Sequence, residues 1–461
     1  MAEEVTQLEG NSEQSSLITA SDDDGSSSGK KSWELQPVSE YSTMDLDRSM
    51  FMSNTTTSFT SLMHLIKGCV GIGVYGMPLA VAYAGLLMGP AILLLVGIVS
   101  VHCMHLLKRC AHLHSEKTGS ICMDYAQLAA KCTEVYFPNK GNVSRVVVNA
   151  FLVFTQLGFC CAYVVFITDS IKQAADGSVD LDVRIWMVIV FPFLVLFSFI
   201  RTLKFLVIVS GISNVITIFG IVGALNYAST TLHDTKSLPL FANWSTLPLT
   251  FALSVYAYEG IGVVLPVENM MRTPRDFTWV LNLAMSVVVI LYLVVGTMGY
   301  ISCAAMCKGS FTLNLPDTPF YTTLKLLIAG SMFLTYFLQF YVPVEILLPS
   351  VLKRVSKKYQ TVADLGFRTS LVLVTVVLAA CVPRLEDVIA VIGSLASTTL
   401  CMTFPAAMDI ASLRMSSKLT WYLLLKDIVI ILIGITGSVT GLYMSMAKLI
   451  RFWSHGAKVD L

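Results

Sequence analysis

The sequence predicts an all-α, polytopic membrane protein with about eleven transmembrane helices, of which the first and the sixth are broken. Three observations predict this fold. Hydrophobic residues make up 55% of the 461 residues and charged residues only 13%, a balance that soluble domains of this length do not show. Apolar stretches of roughly 20 residues, the length that crosses the hydrocarbon core, recur along the chain. Two of those stretches contain the same glycine-broken phrase.

The apolar stretches predict the approximate bounds of the eleven helices. They are expected at 58–80, 86–108, 146–171, 185–201, 205–228, 248–268, 279–302, 320–350, 367–383, 388–410 and 421–450. The longest two, 320–350 and 421–450, must tilt or extend beyond the bilayer.

The basic residues predict how the chain crosses the membrane, because cytoplasmic loops carry the excess of Lys and Arg. The loops after the even-numbered helices carry most of these residues. The opposite loops carry only Lys172, Arg184, Lys236, Lys308 and Arg384. This pattern predicts a cytosolic N-terminus and places the short tail 451–461 outside the cell or in a lumen. No basic patch indicates nucleic acid as a partner.

Residues 1–54 differ from the transmembrane transporter domain predicted at 55–450. They are rich in Ser and acidic residues, as in the runs at 22–24 and 26–28, and poor in apolar ones. Such a composition predicts a disordered cytosolic tail. The tail lacks the apolar core of a signal peptide, so the first spanning helix is expected to direct insertion.

Two short patterns in this tail resemble sorting signals. Residues 13–18 (EQSSLI) have the form of an acidic dileucine signal, and residues 41–44 (YSTM) that of a tyrosine-based signal. The alternative is that both matches arise by chance. Together they favour a lysosomal or endosomal membrane over the plasma membrane, with sorting adaptors or nutrient-signalling proteins as the partners of the tail.

The glycine-broken phrase is the strongest functional signal. Residues 71–74 and 260–263 both read GIGV and lead to a proline, at Pro78 and at Pro266. Unpaired backbone at membrane depth is tolerated only where protein or a water-filled cavity satisfies it. Secondary transporters built from inverted repeats have discontinuous helices in matching positions of their two halves. The repeat therefore predicts a transporter with its substrate site at the breaks; the alternative is that these glycines are close packing contacts.

Two ionisable residues in apolar stretches are candidates for proton coupling. His64 lies on the first helix, and its ordinary pKa near neutrality suits it to carry a proton at physiological pH. The alternative is a histidine hydrogen-bonded to a neighbouring helix. Glu259 directly precedes the second break, where it either accepts a proton or accepts hydrogen bonds from the freed backbone amides.

Other ionisable residues receive a structural interpretation. Lys67 is interpreted as a snorkelling or ion-paired residue, and Glu345 as a residue that caps or pairs at a helix end. Asp409, Lys426 and Asp427 fall near predicted helix ends, where snorkelling to the interface is expected.

Several classes of chemistry have no motif in the sequence. There is no P-loop to bind ATP and no catalytic phrase in a suitable context, so neither an ATP-driven pump nor an enzyme is predicted, and no cofactor is expected. The eleven cysteines lack the paired spacing of a metal site. Cys303 and Cys307 are the two near an outer loop where a disulfide could persist, and Asn243 begins an N-x-S match on that side, close to the membrane.

Several segments together resemble the proton-coupled amino acid transporter family (solute carrier family 36), within the amino acid/auxin permease group. They are LMHLIKG at 62–68, the run from Pro78 to Met104, QLGFCC at 156–161, EGIGVVLP at 259–266 with Glu268 and Asn269, and LQFYVP at 338–343 with Glu345. The resemblance covers about residues 55–450. It implies the five-plus-five inverted repeat of leucine-transporter-like proteins, and the family's essential histidine corresponds to His64.

The chain departs from the family at two places. Residues 68–73 read GCVGIG where the family usually has GNIGTG, so that Cys69 and Ile72 replace two polar side chains beside the expected substrate site. This leaves open which amino acid is bound and whether transport is strictly coupled to protons. Many members also join two outer loops by a disulfide, yet residues 172–184 contain no Cys.

The resemblance implies symport of small neutral amino acids with protons toward the cytosol, by alternating access. Backbone amides at the first break are expected to bind the substrate carboxylate and carbonyls at the second break its ammonium. The candidate substrate-binding residues are Gly68, Gly71, Ile72, Gly73, Tyr258, Gly260, Gly262 and Tyr341. The alternative is an amino-acid-sensing receptor that signals through its cytosolic tail with little or no flux.

Overall fold

A computed structural model describes residues 56–455, apart from 120–121, 177–180, 201–202 and 383. The predicted cytosolic tail with its two sorting patterns therefore lies outside the described residues, as do residues 456–461. The described part of the chain is all-α, as the composition predicts.

Fifteen helices follow one another in the described part. Their bounds are α1 Ser58–Cys69, α2 Gly73–Ala84, α3 Met88–Thr118, α4 Tyr125–Glu134, α5 Gly141–Ala175, α6 Val183–Ser198, α7 Leu203–Thr230, α8 Leu247–Ala257, α9 Ile261–Met270, α10 Phe277–Cys303, α11 Pro319–Leu352, α12 Gln360–Cys381, α13 Leu385–Ile392, α14 Phe404–Met415 and α15 Trp421–His455.

These helices account for all eleven predicted spans. Among the described residues, nine segments are long and apolar enough to cross a membrane, α1 and α2 form one bent span, and α6 is a shorter apolar helix. The chain is therefore an integral membrane protein. Several helices are longer than the predicted apolar stretches. Helix α3 runs to Thr118 and is ended by Gly119, which has a left-handed backbone (φ 69°).

The two broken spans lie where the repeated phrase occurs. In the first broken span, α1 ends at Cys69, α2 begins at Gly73, and the axis bends by 51°. In the second broken span, α8 ends at Ala257 and α9 begins at Ile261. Here the interruption is short enough that Leu247–Met270 still runs as one 24-residue span. Because α2 packs against α8, the two breaks face each other inside the bundle.

Two elements have no counterpart in the sequence prediction. The short helix α4 begins at a capping box formed by Asp124 and Gln127, and it packs against α5. Between α13 and α14 the helix continues as two π-helical segments, Gly393–Ser397 and Thr399–Thr403, and the first of them packs against α8. A Cβ on Gly393 would overlap the carbonyl of Ala252, so glycine permits this contact. π-helical turns frequently occur at functional sites.

The cysteines behave largely as the sequence predicts. Cys303 and Cys307 form a disulfide where α10 ends. The cysteines inside the spans are free and mostly buried.

Candidate functional site

A small cavity lies between the two broken spans. Twelve residues line it, from both breaks and from α5 and α11: Lys67, Gly68, Cys69, Gly71, Ile72, Gly73, Phe159, Tyr163, Tyr256, Ala257, Glu259 and Gln339. Its volume is about 20 Å³, which is room for about one water molecule. An amino acid therefore enters only after the surrounding helices move apart.

Three glycines of the breaks allow the two broken spans to touch. A Cβ on Gly73 would lie 2.9 Å from the Cα of Ala257, and a Cβ on Gly68 would lie 2.8 Å from the side chain of Val263. A Cβ on Gly260 would lie 2.5 Å from the sulfur of Cys69. These contacts support the packing interpretation of all three glycines. Gly68 and Gly73 also line the cavity, whereas Gly260 does not.

The other two predicted glycines have different surroundings. A Cβ on Gly71 would meet only the hydroxyl of Tyr163, at 3.0 Å, so Gly71 faces the cavity. Gly262 does not line the cavity, and a Cβ there would make an ordinary contact with Leu152 at 3.4 Å.

Tyr292 of α10 joins the two breaks. Its hydroxyl lies 2.7 Å from the carbonyl oxygen of Cys69 and 3.1 Å from that of Ala257, the last residues of α1 and α8. The hydroxyl has one proton, and the shorter distance favours donation to Cys69. Terminal carbonyls of a helix lack intrahelical partners, so this bond satisfies a group that the break leaves open. No sequence signal distinguishes Tyr292 from the other aromatic residues in the apolar stretches.

The two predicted pocket tyrosines lie outside the cavity lining. The ring of Tyr258 is fully buried with its centroid 5.1 Å from that of Tyr292. Tyr341 is partly buried on α11. Tyr163 and Tyr256 line the cavity instead. Residues two apart in a helix point in different directions, which is why Tyr256 and not Tyr258 faces the cavity.

Glu259 lies in the cavity wall and is buried, with 5% of its surface exposed. Within the described residues, its Oε2 atom has no hydrogen-bond partner. Burying an isolated carboxylate in an apolar medium is unfavourable, and either a proton or a cationic ligand group offsets that penalty. Glu259 can therefore exchange a proton or bind a substrate ammonium.

His64 lies away from this cavity. Its side chain is exposed on α1 and does not line the cavity. Lys67, three residues later on the same helix, lines the cavity, and its Nζ atom lies 3.3 Å from Ser213 Oγ and 3.5 Å from Thr335 Oγ1. The snorkelling interpretation of Lys67 is therefore wrong.

A second group of charged residues joins α3, α14 and α15. Asp409 is fully buried, accepts from Arg109 Nε at 3.0 Å and lies 3.9 Å from Lys426 Nζ. The Lys426 ammonium lies 2.9 Å from Asp427, which is also fully buried. The snorkelling interpretation is wrong for both aspartates, because they pair inside the bundle.

The remaining candidates lie at the surface. Glu345 is exposed on α11. Asn243, the candidate glycosylation residue, is exposed shortly before α8, and its Oδ1 accepts from the amide of Ser245 at 3.1 Å.

Comparison with known proteins agrees with this architecture. Residues 54–447 match the family model described as transmembrane amino acid transporter protein. The proton-coupled amino acid transporter-like protein pathetic of Drosophila melanogaster is 30% identical over 415 residues, covering 88% of each chain. Amino acid transporter AVT3C of Arabidopsis thaliana is 25% identical over 415 residues, covering 86% of this chain and 91% of the relative.

A solved structure shares the fold. The substrate-bound, outward-open structure of a Na⁺-coupled sialic acid symporter superposes with a TM-score of 0.51 at 10% identity, covering 88% of this chain and 92% of that one. The likeness confirms the predicted leucine-transporter-like fold with its five-plus-five inverted repeat. The similar proteins are transporters, in agreement with the prediction that the chain is not an enzyme.

Proposed function

The chain belongs to the family of transmembrane amino acid transporter proteins, and from that premise we propose that it carries small neutral amino acids toward the cytosol together with protons. The observation that carries this proposal is the cavity between the two breaks, with the buried carboxyl of Glu259 in its wall. The name of the Drosophila relative includes proton coupling, which supports the choice of coupling ion.

The first break supplies the group that binds the substrate carboxylate. Helix α2 begins at Gly73, and the first N–H groups of a helix have no intrahelical acceptor. Those of Gly71, Ile72 and Gly73 are therefore suited to donate to an anion at the positive end of the α2 dipole. On the cavity side, the nearest neighbour of Gly71 is the hydroxyl of Tyr163, 3.0 Å from where a Cβ would lie, so Tyr163 must shift for the carboxylate to approach this amide.

The second break supplies the group that binds the substrate ammonium. Glu259 and Ala257 of the second break line the same cavity as Gly71, Ile72 and Gly73 of the first break. The orphaned Oε2 atom of Glu259 accepts either the ammonium or a proton. When Oε2 takes the proton, the other carboxyl oxygen can still accept from the ammonium, so proton and substrate can be bound at the same time, as symport requires.

The walls of the cavity favour a small, uncharged side chain. Phe159 and Tyr256 meet edge to face, with ring centroids 4.8 Å apart, and Tyr163 covers Gly71. Apart from Lys67 and Glu259, no lining residue carries a charge, and Glu259 is the residue proposed to bind the substrate ammonium. Cys69 and Ile72, which replace two polar residues of the family pattern, add apolar surface to the same lining.

Uptake and current measured together test this function. The full-length chain is expressed at the cell surface by disabling the patterns at 13–18 and 41–44, and labelled neutral amino acids are supplied at about pH 5.5 and about pH 7.5, on either side of the ordinary pKa of histidine. Uptake that carries inward current and increases in acid is expected. Amino acid binding without flux at either pH would contradict transport and favour the receptor alternative.

A further inference from the structure

The ammonium of Lys67 occupies a site made by two other helices. Lys67 lies in the last turn of α1, and its Nζ atom contacts Ser213 of α7 and Thr335 of α11. It also lines the cavity between the breaks. One side chain thus connects the first broken span, the cavity and two neighbouring spans.

Four buried hydroxyl groups form this site, which we call the hydroxyl cluster: Ser213, Thr217, Ser331 and Thr335. Ser213 Oγ lies 2.7 Å from Thr335 Oγ1 and 2.8 Å from Ser331 Oγ, and Thr217 Oγ1 lies 2.8 Å from Ser331 Oγ. Thr335 and Thr217 also lie within hydrogen-bonding distance of carbonyls one turn earlier in their own helices. The cluster therefore keeps oxygen lone pairs directed toward a cation between α7 and α11.

No carboxylate forms an ion pair with Lys67 within the described residues. Other buried cations of the bundle differ, since Lys325 lies 2.9 Å from Asp317 and Arg368 lies 2.7 Å from Asp364. An ammonium inside a membrane protein without a counter-charge is unfavourable. Lysine, unlike arginine, relieves that penalty by giving up its proton.

Few acidic or basic side chains lie near Lys67. Helix α10 and the described side chains of α7 contain no charged group. The titratable side chains that line the cavity beside Lys67 are Cys69, Tyr163, Tyr256 and Glu259. The other acidic and basic side chains of α1, α9 and α11 are His64, Glu268, Lys325 and Glu345. Glu268 pairs with Lys108 and His112, and Glu345 and His64 are exposed. Glu259 is therefore the carboxyl that shares the cavity with Lys67.

We propose that Lys67 carries a proton in the transport cycle and that the hydroxyl cluster holds its charged form. The proposal rests on the proton symport proposed above. When the cavity opens to the cytosol, the ammonium transfers one proton to water and becomes a neutral amine. The amine takes up one proton from water when the cavity opens to the opposite side. Each cycle then moves one positive charge with a zwitterionic amino acid.

The same proton changes how firmly α1 is held. Hydrogen bonds from a charged donor are roughly twice as strong as those from a neutral one. A charged Lys67 therefore holds α1 against α7 and α11 more tightly than a neutral one. Since the cavity opens only when helices around it separate, protonation of Lys67 selects between the closed and the open arrangement of α1.

Transport by the full chain in proteoliposomes tests this proposal. Uptake of labelled neutral amino acids is measured at about pH 5.5 and about pH 7.5 outside, and exchange of labelled for unlabelled amino acid is measured without a pH difference. Lys67→Met and Lys67→Arg cannot carry a proton through the cycle, so both should lose acid stimulation of uptake; exchange shows whether each variant still binds and moves the amino acid. Lys325→Met, at a buried lysine paired with Asp317 outside the cavity, is the matched control and should keep the wild-type acid stimulation.

The outcomes separate the two proposals. A wild-type protein without acid-stimulated uptake overturns the proposed symport. Acid-stimulated wild type together with equally stimulated Lys67→Met overturns only the role of Lys67. If Lys67→Met loses exchange as well as acid stimulation, the Ser213→Ala variant decides. An unchanged pH of half-stimulation in Ser213→Ala would then overturn the role of Lys67.

A variant that retains Lys67 provides an independent measurement. Ser213→Ala removes a contact of the ammonium, so more acid should be needed and the pH of half-stimulation should move downward. Thr217→Val removes a hydroxyl from the same cluster without touching Lys67 and is the matched control. Equal shifts in both variants would assign the cluster to packing alone and overturn the proposal.

Discussion

The hydroxyl of Tyr292 lies 2.7 Å from the main-chain carbonyl oxygen of Cys69, the last residue of α1. It also lies 3.1 Å from the carbonyl of Ala257, the last residue of α8. The hydroxyl has one proton, so it satisfies one of these two terminal carbonyls at a time, and the shorter distance favours Cys69. One side chain of α10 therefore contacts the backbone at both breaks.

Tyr292→Phe removes this hydroxyl and leaves the shape of the ring. We expect a loss of stability of about 1–3 kcal/mol, because a buried carbonyl loses its donor, together with weaker substrate binding. Thermal unfolding and binding of labelled amino acid in detergent measure both effects. Tyr300→Phe, about two turns further along α10, is the control and should change neither; an unaltered Tyr292→Phe would contradict the role of this bond.

Gly73→Ala tests the contact between the broken spans. The added Cβ would lie 2.9 Å from Ala257, so α2 and α8 must separate. We expect a destabilisation of about 1–3 kcal/mol and loss of transport at normal surface expression. Gly330→Ala is the matched control, because nothing lies within 4 Å of a Cβ there. Full transport by Gly73→Ala would show that the close approach is dispensable.

Glu259→Gln keeps the shape of the buried side chain and removes its exchangeable charge. We expect uptake of neutral amino acids to lose its dependence on pH and to fall by about 10²-fold or more, within the range for losing a positioned proton-transfer group. Uptake across an external pH series measures this. Glu345→Gln on the exposed face of α11 should behave as wild type, and a wild-type pH profile in Glu259→Gln would remove Glu259 from the coupling mechanism.

His64→Ala tests the residue that the family resemblance assigns to proton coupling. The resemblance predicts that acid stimulation of uptake disappears, even though His64 is exposed and does not line the cavity. The pH profile of amino-acid-evoked current is the measurement. If stimulation persists in His64→Ala and is lost in Glu259→Gln, the proton path runs through the cavity alone.

Arg109→Met removes the nearer cation of the buried Asp409 and leaves Lys426, 3.9 Å away, as its remaining cation among the described residues. We expect a loss of about 3–5 kcal/mol in stability, because removal of one partner leaves a buried charge poorly compensated. The double variant Arg109→Met with Asp409→Leu should recover much of the loss in thermal unfolding. Lys131→Met is the control. Lys131 pairs with Glu134, both side chains are about half exposed, and the variant should change stability by less than about 1 kcal/mol.

The sequence predicted the spans well because the signal for each is local. Crossing a membrane requires about 20 apolar residues in a row, and every such stretch became a helix or a pair of half-helices. The positions of the two breaks were also predicted correctly, because Gly71 and Gly260 belong to a four-residue sequence that occurs twice. The short helix α4 and the π-helical segments between α13 and α14 were not predicted, because their apolar content does not distinguish them from a loop and a regular helix.

The side chains of the site were harder to predict. Choosing between Tyr256 and Tyr258 requires the rotation of α8 about its axis, which depends on packing against α2 and not on the order of residues. The snorkelling prediction for Asp409 and Asp427 was wrong for a related reason. Hydropathy predicts where a helix ends, but it does not show whether a charged side chain there has a partner.

By itself, the sequence determined that this protein is an all-α membrane protein with two broken spans, because hydropathy and the glycine phrase act over neighbouring residues. Only the tertiary structure decided that the Tyr292 hydroxyl lies near a terminal carbonyl of each break, that Glu259 and Lys67 share one cavity, and that Lys67 lies against hydroxyl groups from α7 and α11. These relationships join residues up to 268 positions apart. They exist only once the helices have packed, since packing sets which faces of the helices meet.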